Sequence, residues 1–267
     1  ALVPFMNRSV DLLEDLAGEQ NSFQLNRRGY CFFTGTSKGA AALERFAEEG
    51  SAFGAGPLRS HGRPGCQGSE GLEHYQRSPP RGFREPGLEG FDLVYGSQNI
   101  RTILPFVSDA AQVMLHARRC GWMDAHGLGV AMLDAAKAAG ETGGGGSARI
   151  LSGSVVGFDV SPSGDVRAVR VARTSVQGEE LVHCDAFVNA AGAWMPRLAT
   201  LLAPEEELPL VNELHAKVTL HDRLGVIPQD QAPFMVWRDK VTLDWHSCVD
   251  ALHSLDDTSY GGSANAL

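Results

Sequence analysis

Apolar residues recur at helical spacing near the start of the chain. Phe5, Val10, Leu12, Leu13 and Leu16 fall near one side, with Asp11, Glu14 and Asp15 on the other. This pattern predicts an amphipathic helix over residues 5–17, with Gly18 as its stop. Residues 29–34, rich in aromatics and flanked by glycines, predict a strand. Residues 40–49, rich in Ala, Leu and Glu, predict a second helix. From Gly54 to Gly90 the periodicity gives way to Gly, Pro, Arg and Ser. Neither Arg63-Pro64-Gly65-Cys66-Gln67-Gly68 nor Pro79-Pro80 can lie inside an element. We read this stretch as a long functional loop pinned by Phe83, Phe91 and Tyr95, rather than a partly disordered insertion.

Order returns near Ile100. Asp124 is placed to cap a helix whose Leu128, Ala131, Met132, Ala135, Ala136 and Ala139 share one face, predicted to be buried. Gly140 ends that helix, and residues 143–146 form a flexible joint. Three strands follow: residues 149–160, then 166–172 after the turn Pro162-Ser163-Gly164-Asp165, then 181–189. Past Pro209, Leu214, Ala216, Val218 and Leu220 alternate with His215, Lys217 and Thr219, which predicts a half-buried strand. From His246 the pattern fades into a tail expected to be disordered. Strands and helices interleave throughout, so the expected architecture is α/β, or α+β mixed.

Composition narrows the function. The chain of 267 residues is 43% hydrophobic and 21% charged, ordinary for a globular protein with a sizeable core. A net charge of −9 argues against nucleic acid as a partner, and the basic pairs Arg27-Arg28 and Arg118-Arg119 are read as solvated surface. Five cysteines (Cys31, Cys66, Cys120, Cys184, Cys248), with no CxxC spacing, point to reduced and mostly buried thiols in an intracellular, cytoplasmic protein. The histidines form no HxxxH or HxH pair, so no metal site is expected. No apolar run reaches the roughly 20 residues of a membrane helix, so no membrane partner is expected. The chain begins Ala1-Leu2-Val3, without an initiator Met, so any targeting segment is unreadable.

The candidate chemistry lies at Phe187-Val188-Asn189-Ala190-Ala191-Gly192-Ala193-Trp194, before the helix-like run Arg197-Leu198-Ala199-Thr200-Leu201-Leu202. Small residues at a strand-to-helix turn let a flat or anionic ligand approach the backbone closely. Three other segments accompany it: Cys120-Gly121-Trp122-Met123-Asp124, Ser152-Gly153-Ser154-Val155-Val156-Gly157-Phe158, and Asn26-Arg27-Arg28-Gly29-Tyr30 with the later Asn212-Glu213-Leu214-His215. In this order they resemble the FAD-dependent oxidoreductases of the D-amino-acid-oxidase superfamily, which includes sarcosine-oxidase-like and glycine-oxidase-like enzymes. The resemblance spans roughly residues 3–245.

It implies an incomplete Rossmann-like FAD-binding domain (residues 1–25 and 119–204), a mixed-sheet substrate domain (26–118 and 205–245) and a tail (246–267). FAD is the implied cofactor. Val155 and Val156 would lie by its adenine end, Asn189-Ala190-Ala191-Gly192 would form the turn over the dinucleotide, and Trp194 would sit on the next helix. The reaction implied is oxidation of the C–N bond of a small-molecule amine or amino acid to an imine, with dioxygen as acceptor. His215, Lys217 and Arg223 are candidates for a substrate carboxylate by position alone. No catalytic residue is assigned, and the oligomeric state is left open.

No G-x-G-x-x-G occurs, and Gly261-Gly262 is too short to close over a flavin. The chain is therefore expected to be an interior piece of such an enzyme that binds FAD poorly, and a truncated, non-catalytic interaction module is an alternative. A further alternative is the short-chain dehydrogenase reading of Thr34-Gly35-Thr36-Ser37-Lys38-Gly39-Ala40-Ala41. It is opposed by Ala41 at the last glycine position and by the absence of Tyr-x-x-x-Lys after Asn189.

Overall fold

The computed structural model describes residues 2–63, 65, 68–78, 89–142, 148–173, 178–205, 208–213, 221–228 and 232–241. Its elements, in chain order, begin α1 (Leu2–Ala17), β1 (Tyr30–Thr34), α2 (Ser37–Ala52), β2 (Leu58–His61), β3 (Phe91–Tyr95), α3 (Ser97–Ile103) and β4 (Val113–Ala117). There follow α4 (Ala125–Thr142), β5 (Ser154–Val160), β6 (Val166–Ala172), β7 (Glu179–His183), α5 (Met195–Leu202) and β8 (Phe234–Trp237). The expected mixed α/β class holds. Among the described residues, no helix is long and apolar enough to cross a membrane.

Two compact units are present: the described residues of Ala1–Ala131 with Asp222–Leu267, and those of Met132–His221. The first holds a five-stranded sheet in the order β2-β3-β4-β1-β8. β4 runs antiparallel to β1 and β3, while β2 is parallel to β3 and β8 to β1. Strand alternation gives each face a separate core. Phe91, Leu93, Val113 and Leu115 pack with Leu43 and Ala47 of α2. On the other face Cys31, Phe33, Val94 and Met114 pack with Ile100 and Ile103 of α3. Each such side chain contributes about 1.5–3 kcal/mol by burial, which is why β3 and β4 are buried throughout.

In the second unit β5, β6 and β7 form an antiparallel sheet. Phe158, Val169 and Val171 pack there with Val155, Phe187 and, on α5, Leu198 and Leu202.

Several expectations are corrected. In α1 much of the predicted apolar stripe meets solvent: Phe5, Leu12 and Leu16 are exposed, as are Leu2 and Met6 outside it. Only Leu13 and Ala17 join a core, because Glu14 turns inward to pair with Arg27 and Arg119. The loop predicted over residues 54–90 contains β2, and order returns at Phe91 rather than Ile100, since parallel pairing with β3 stabilises a strand that has no clear alternation of its own. Phe91 and Tyr95 are strand residues, not loop pins.

Asp124 does cap α4, accepting from the Gly127 amide at 3.0 Å. The helix face behaves differently from its prediction. Leu128 and Ala131 pack on Phe23, whereas Met132 is exposed and so are Ala135, Ala136 and Ala139. The third strand of the second unit ends at His183, because the segment leading to Asn189 has no strand partner among the described residues. The joint at 143–146, the strand at 214–220, Phe83 and the tail from His246 lie outside the described residues.

Candidate active site

The segment Asn26-Arg27-Arg28-Gly29-Tyr30 shows why a short polar run precedes the central strand. Asn26 Nδ2 donates to the Trp122 carbonyl at 2.9 Å, and Arg27, buried, pairs with Glu14 at 3.3 Å. Gly29 takes φ +83, and a Cβ there would lie against the His116 ring and the Ala117 carbonyl. The close approach lets His116 Nε2 donate to the Arg28 carbonyl at 2.9 Å. The reading of Arg27-Arg28 and Arg118-Arg119 as solvated surface is thus overturned for both leading residues, since Arg118 is only 1% exposed.

Strand register then assembles a polar row on the α3 face of the sheet. Arg59 of β2 pairs with Asp92 of β3, Asp92 with His116 of β4, and His116 with Cys31 of β1. His61 lies two positions along β2 from Arg59, hence on the same face, and Arg118 follows His116 by two positions just past the end of β4.

The carboxylate of Asp92 takes Arg59 in a two-pronged contact (2.7 and 3.0 Å), the His61 Nε2–H (2.8 Å) and an ion pair with Arg118 Nε (3.2 Å). Burial opposes its ionisation. Hydrogen bonds from His61 and Arg59 and the charge of Arg118 outweigh that and hold the carboxyl well below the usual range. His116, fully buried beside Arg118, is pushed down to about 3 and stays neutral. With Nε2 carrying the proton, the single lone pair of Nδ1 is shared between the Tyr75 hydroxyl at 2.8 Å and Arg118 Nη1 at 2.7 Å. Both ring nitrogens are therefore committed.

Of this row, His116 reaches a cavity of about 670 Å³. Tyr75, His116, Arg28 and Arg77 supply its polar lining, while Ile103, Leu104, Phe106 and Pro233 supply an apolar wall. Arg28 lies over the Trp122 ring, 5.2 Å from its centroid, and Arg77 donates to the Thr102 carbonyl at 2.9 Å. Both are thus oriented by neighbours. Two guanidinium groups beside an apolar wall suit a small carboxylate with a hydrocarbon body.

Sequence reasoning missed this cavity. Arg28 stood in a segment already singled out, and Asp92 and His116 could have been found as lone polar residues at inward positions of apolar strands. Tyr75 and Arg77 gave no local signal. Of the carboxylate candidates, His215 and Lys217 lie outside the described residues, and Arg223 stands on an exposed turn closed by Asp222 and does not line the cavity.

The cofactor candidates all fall in the second unit. Asn189 shapes its turn, with Oδ1 accepting from the Ala191 amide (3.3 Å) and Nδ2 donating to the Met195 carbonyl (3.1 Å). Gly192 adopts φ +56, and the turn passes through Gly192–Trp194 into α5. Val155 is half-buried in the cluster that also holds Phe187 and Leu198, so the core of this unit ties the β5 strand to the turn. Val156, Ala190 and Trp194 are exposed, and a Cβ at Gly192 would meet nothing within 4 Å. Small side chains with open space before the backbone fit one wall of a dinucleotide site.

The dehydrogenase-like loop at Thr34–Ala41 serves another purpose. Thr36 caps α2, and the Thr34 and Thr36 hydroxyls and the Gly35 amide all donate to Asp239, at 2.7, 3.1 and 2.7 Å respectively. The chain's own carboxylate holds the donors that such a loop would offer a phosphate.

The sequence matches the FAD dependent oxidoreductase (DAO) family over residues 1–242. Among solved structures, the fold is similar to L-proline dehydrogenase from P. horikoshii, with 17% identity, a TM-score of 0.53, and coverage of 76% of this chain and 42% of that one. It is also similar to glycine oxidase from Bacillus cereus, with 13% identity, a TM-score of 0.52, and coverage of 75% of this chain and 43% of that one. The chain thus spans less than half the length of these relatives. No curated protein matches it. The chain belongs to the DAO family of FAD-dependent oxidoreductases.

Proposed function

We propose that the chain is the substrate-bearing and part of the cofactor-bearing portion of a flavoenzyme. That enzyme oxidises the C–N bond of an amino acid or carboxylated amine to an imine. The observation that carries this reading is the cavity in which Arg28 and Arg77 stand beside an apolar wall. In this reading the two guanidinium groups bind the substrate carboxylate, and Ile103, Leu104 and Phe106 hold its hydrocarbon part and exclude water. His116, neutral and committed at both nitrogens, positions the Tyr75 hydroxyl at the cavity wall and takes no proton from the substrate. The two similar solved structures, an L-proline dehydrogenase and a glycine oxidase, support the substrate class.

Val155, Val156, Asn189, Ala190, Ala191, Gly192 and Trp194 would hold FAD. The chemistry that FAD supplies when bound is acceptance of the hydride equivalent from the α-carbon and its delivery to dioxygen, which gives hydrogen peroxide. Residues 26–118 and 205–245 act as the substrate part in this reading, with 1–25 and 119–204 belonging to the cofactor part.

The test is a visible absorption spectrum after incubation with FAD and removal of free cofactor, followed by peroxide release with glycine, sarcosine and proline. Retained flavin absorption and turnover are expected of an enzyme that joins this chain to a G-x-G-x-x-G segment, which the chain does not contain. Arg77→Gln should raise KM for carboxylated substrates while leaving kcat nearly unchanged, as loss of uniform binding does. A colourless protein would overturn the cofactor assignment for this chain.

A further inference from the structure

On the opposite face of the main sheet, beside α2 rather than α3, lies a second cavity of about 680 Å³. Phe32, Leu43 and Phe46 form its apolar side, and Phe46 is 54% exposed although it is a large aromatic side chain. Lys38, Arg238 and Lys240 line the same cavity. Among the described residues, none of the three forms an ion pair. Lys38 stands in the first turn of α2, where the helix dipole disfavours a cation, and the turn itself carries no acidic residue. Asp239 supplies a carboxylate, but it is already bound by Thr34, Gly35 and Thr36, which keep it below the usual carboxylate range. Three cations and a helix N-terminus thus face one committed carboxylate, in a chain whose net charge is −9.

We propose that this cavity binds a small amphipathic organic anion, with an aromatic or acyl body against Phe32 and Phe46 and a phosphate or carboxylate head held by Lys38, Arg238 and Lys240. The apolar lining provides contact area, and the cations provide charge-assisted hydrogen bonds that a neutral ligand cannot use. The site is separate from the cavity of Arg28 and Arg77, and it stands whether or not the flavin reading holds.

Calorimetric titration of the whole chain with naphthyl phosphate, naphthoate and naphthol, in low salt, tests it. Both anions should bind about tenfold more tightly than naphthol, and their relative affinity distinguishes a phosphate head from a carboxylate. The double substitution Lys38→Gln and Lys240→Gln should bring the anions down to the level of naphthol. Ala42→Phe, which fills the cavity, should weaken all three ligands. Arg77→Gln should change none of them. Thermal melts of each variant identify any that fail to fold, and the remaining variant then decides. Absence of binding, equal affinity for naphthol, or loss of anion binding in Arg77→Gln alone would overturn the proposal.

Discussion

Removing the Asp92 carboxylate would leave the Arg118 guanidinium, 1% exposed, without its counter-charge, and would free His61 and Arg59 together. An uncompensated buried charge costs about 3–5 kcal/mol, so Asp92→Ala should lose that much stability in urea denaturation at neutral pH. Arg59 lies nearer the surface, with its side chain 25% exposed, so Arg59→Gln should cost only about 1 kcal/mol. Equal losses would mean that the row is not organised around the buried Arg118. Gly29 offers a second check at this scale. Its positive φ and its contact with His116 leave no room for a methyl group, so Gly29→Ala should destabilise by about 1–3 kcal/mol.

Helix α1 illustrates how an element's periodicity can be read correctly and its facing wrongly. Phe5, Leu12 and Leu16 do share a side, but that side is exposed, and the buried side carries Glu14 against Arg27 and Arg119. Leu16→Lys should therefore change stability by less than about 0.5 kcal/mol, while Leu13→Lys, inside the cluster with Ala17, Phe23 and Leu128, should cost about 2–4 kcal/mol. Chemical denaturation of the two variants side by side decides the orientation of the helix. At α2, Thr36→Ala removes the hydroxyl that accepts from the Gly39 amide at 3.1 Å and should cost about 1 kcal/mol.

Over the whole molecule, the buried row sets the pH range of stability. His116 is pushed down from 6.5 to about 3, so the unfolded chain takes up a proton below pH 6.5 while the folded chain does not. Stability present above pH 6.5 is therefore lost as the pH falls toward 3, with a slope approaching about 1.4 kcal/mol per unit. Asp92, held below its ordinary 3.8, adds a loss of the same sign at lower pH. Cys31 and Tyr75 act at the alkaline end. Burial raises both above their ordinary 9.0 and 10.0, so the unfolded chain ionises first and stability falls as the pH rises past 9. Urea melts across this range should give a plateau between these limits, and His116→Gln should flatten the arm between pH 6.5 and 4. An unchanged acid arm in that variant would count against a buried neutral imidazole.

Local pattern sufficed for much of the molecule. Helix α1, strand β1, helix α2, the Asp124 cap and the pair β5–β6 are legible because their periodicity and turn residues are set within a few neighbours. The family was legible too, since the order of short motifs survives without any contact between them. What only the tertiary structure decided is which residues meet. Whether α1 shows its apolar or its acidic side depends on Arg27 and Arg119, and strand β2 exists because β3 lies beside it. The Arg59–Asp92–His116–Cys31 row is a product of strand register, in which a shift of one residue would turn every member to the other face. Such pairings join distant parts of the chain, and hydrophobic periodicity within one segment carries no information about its partner.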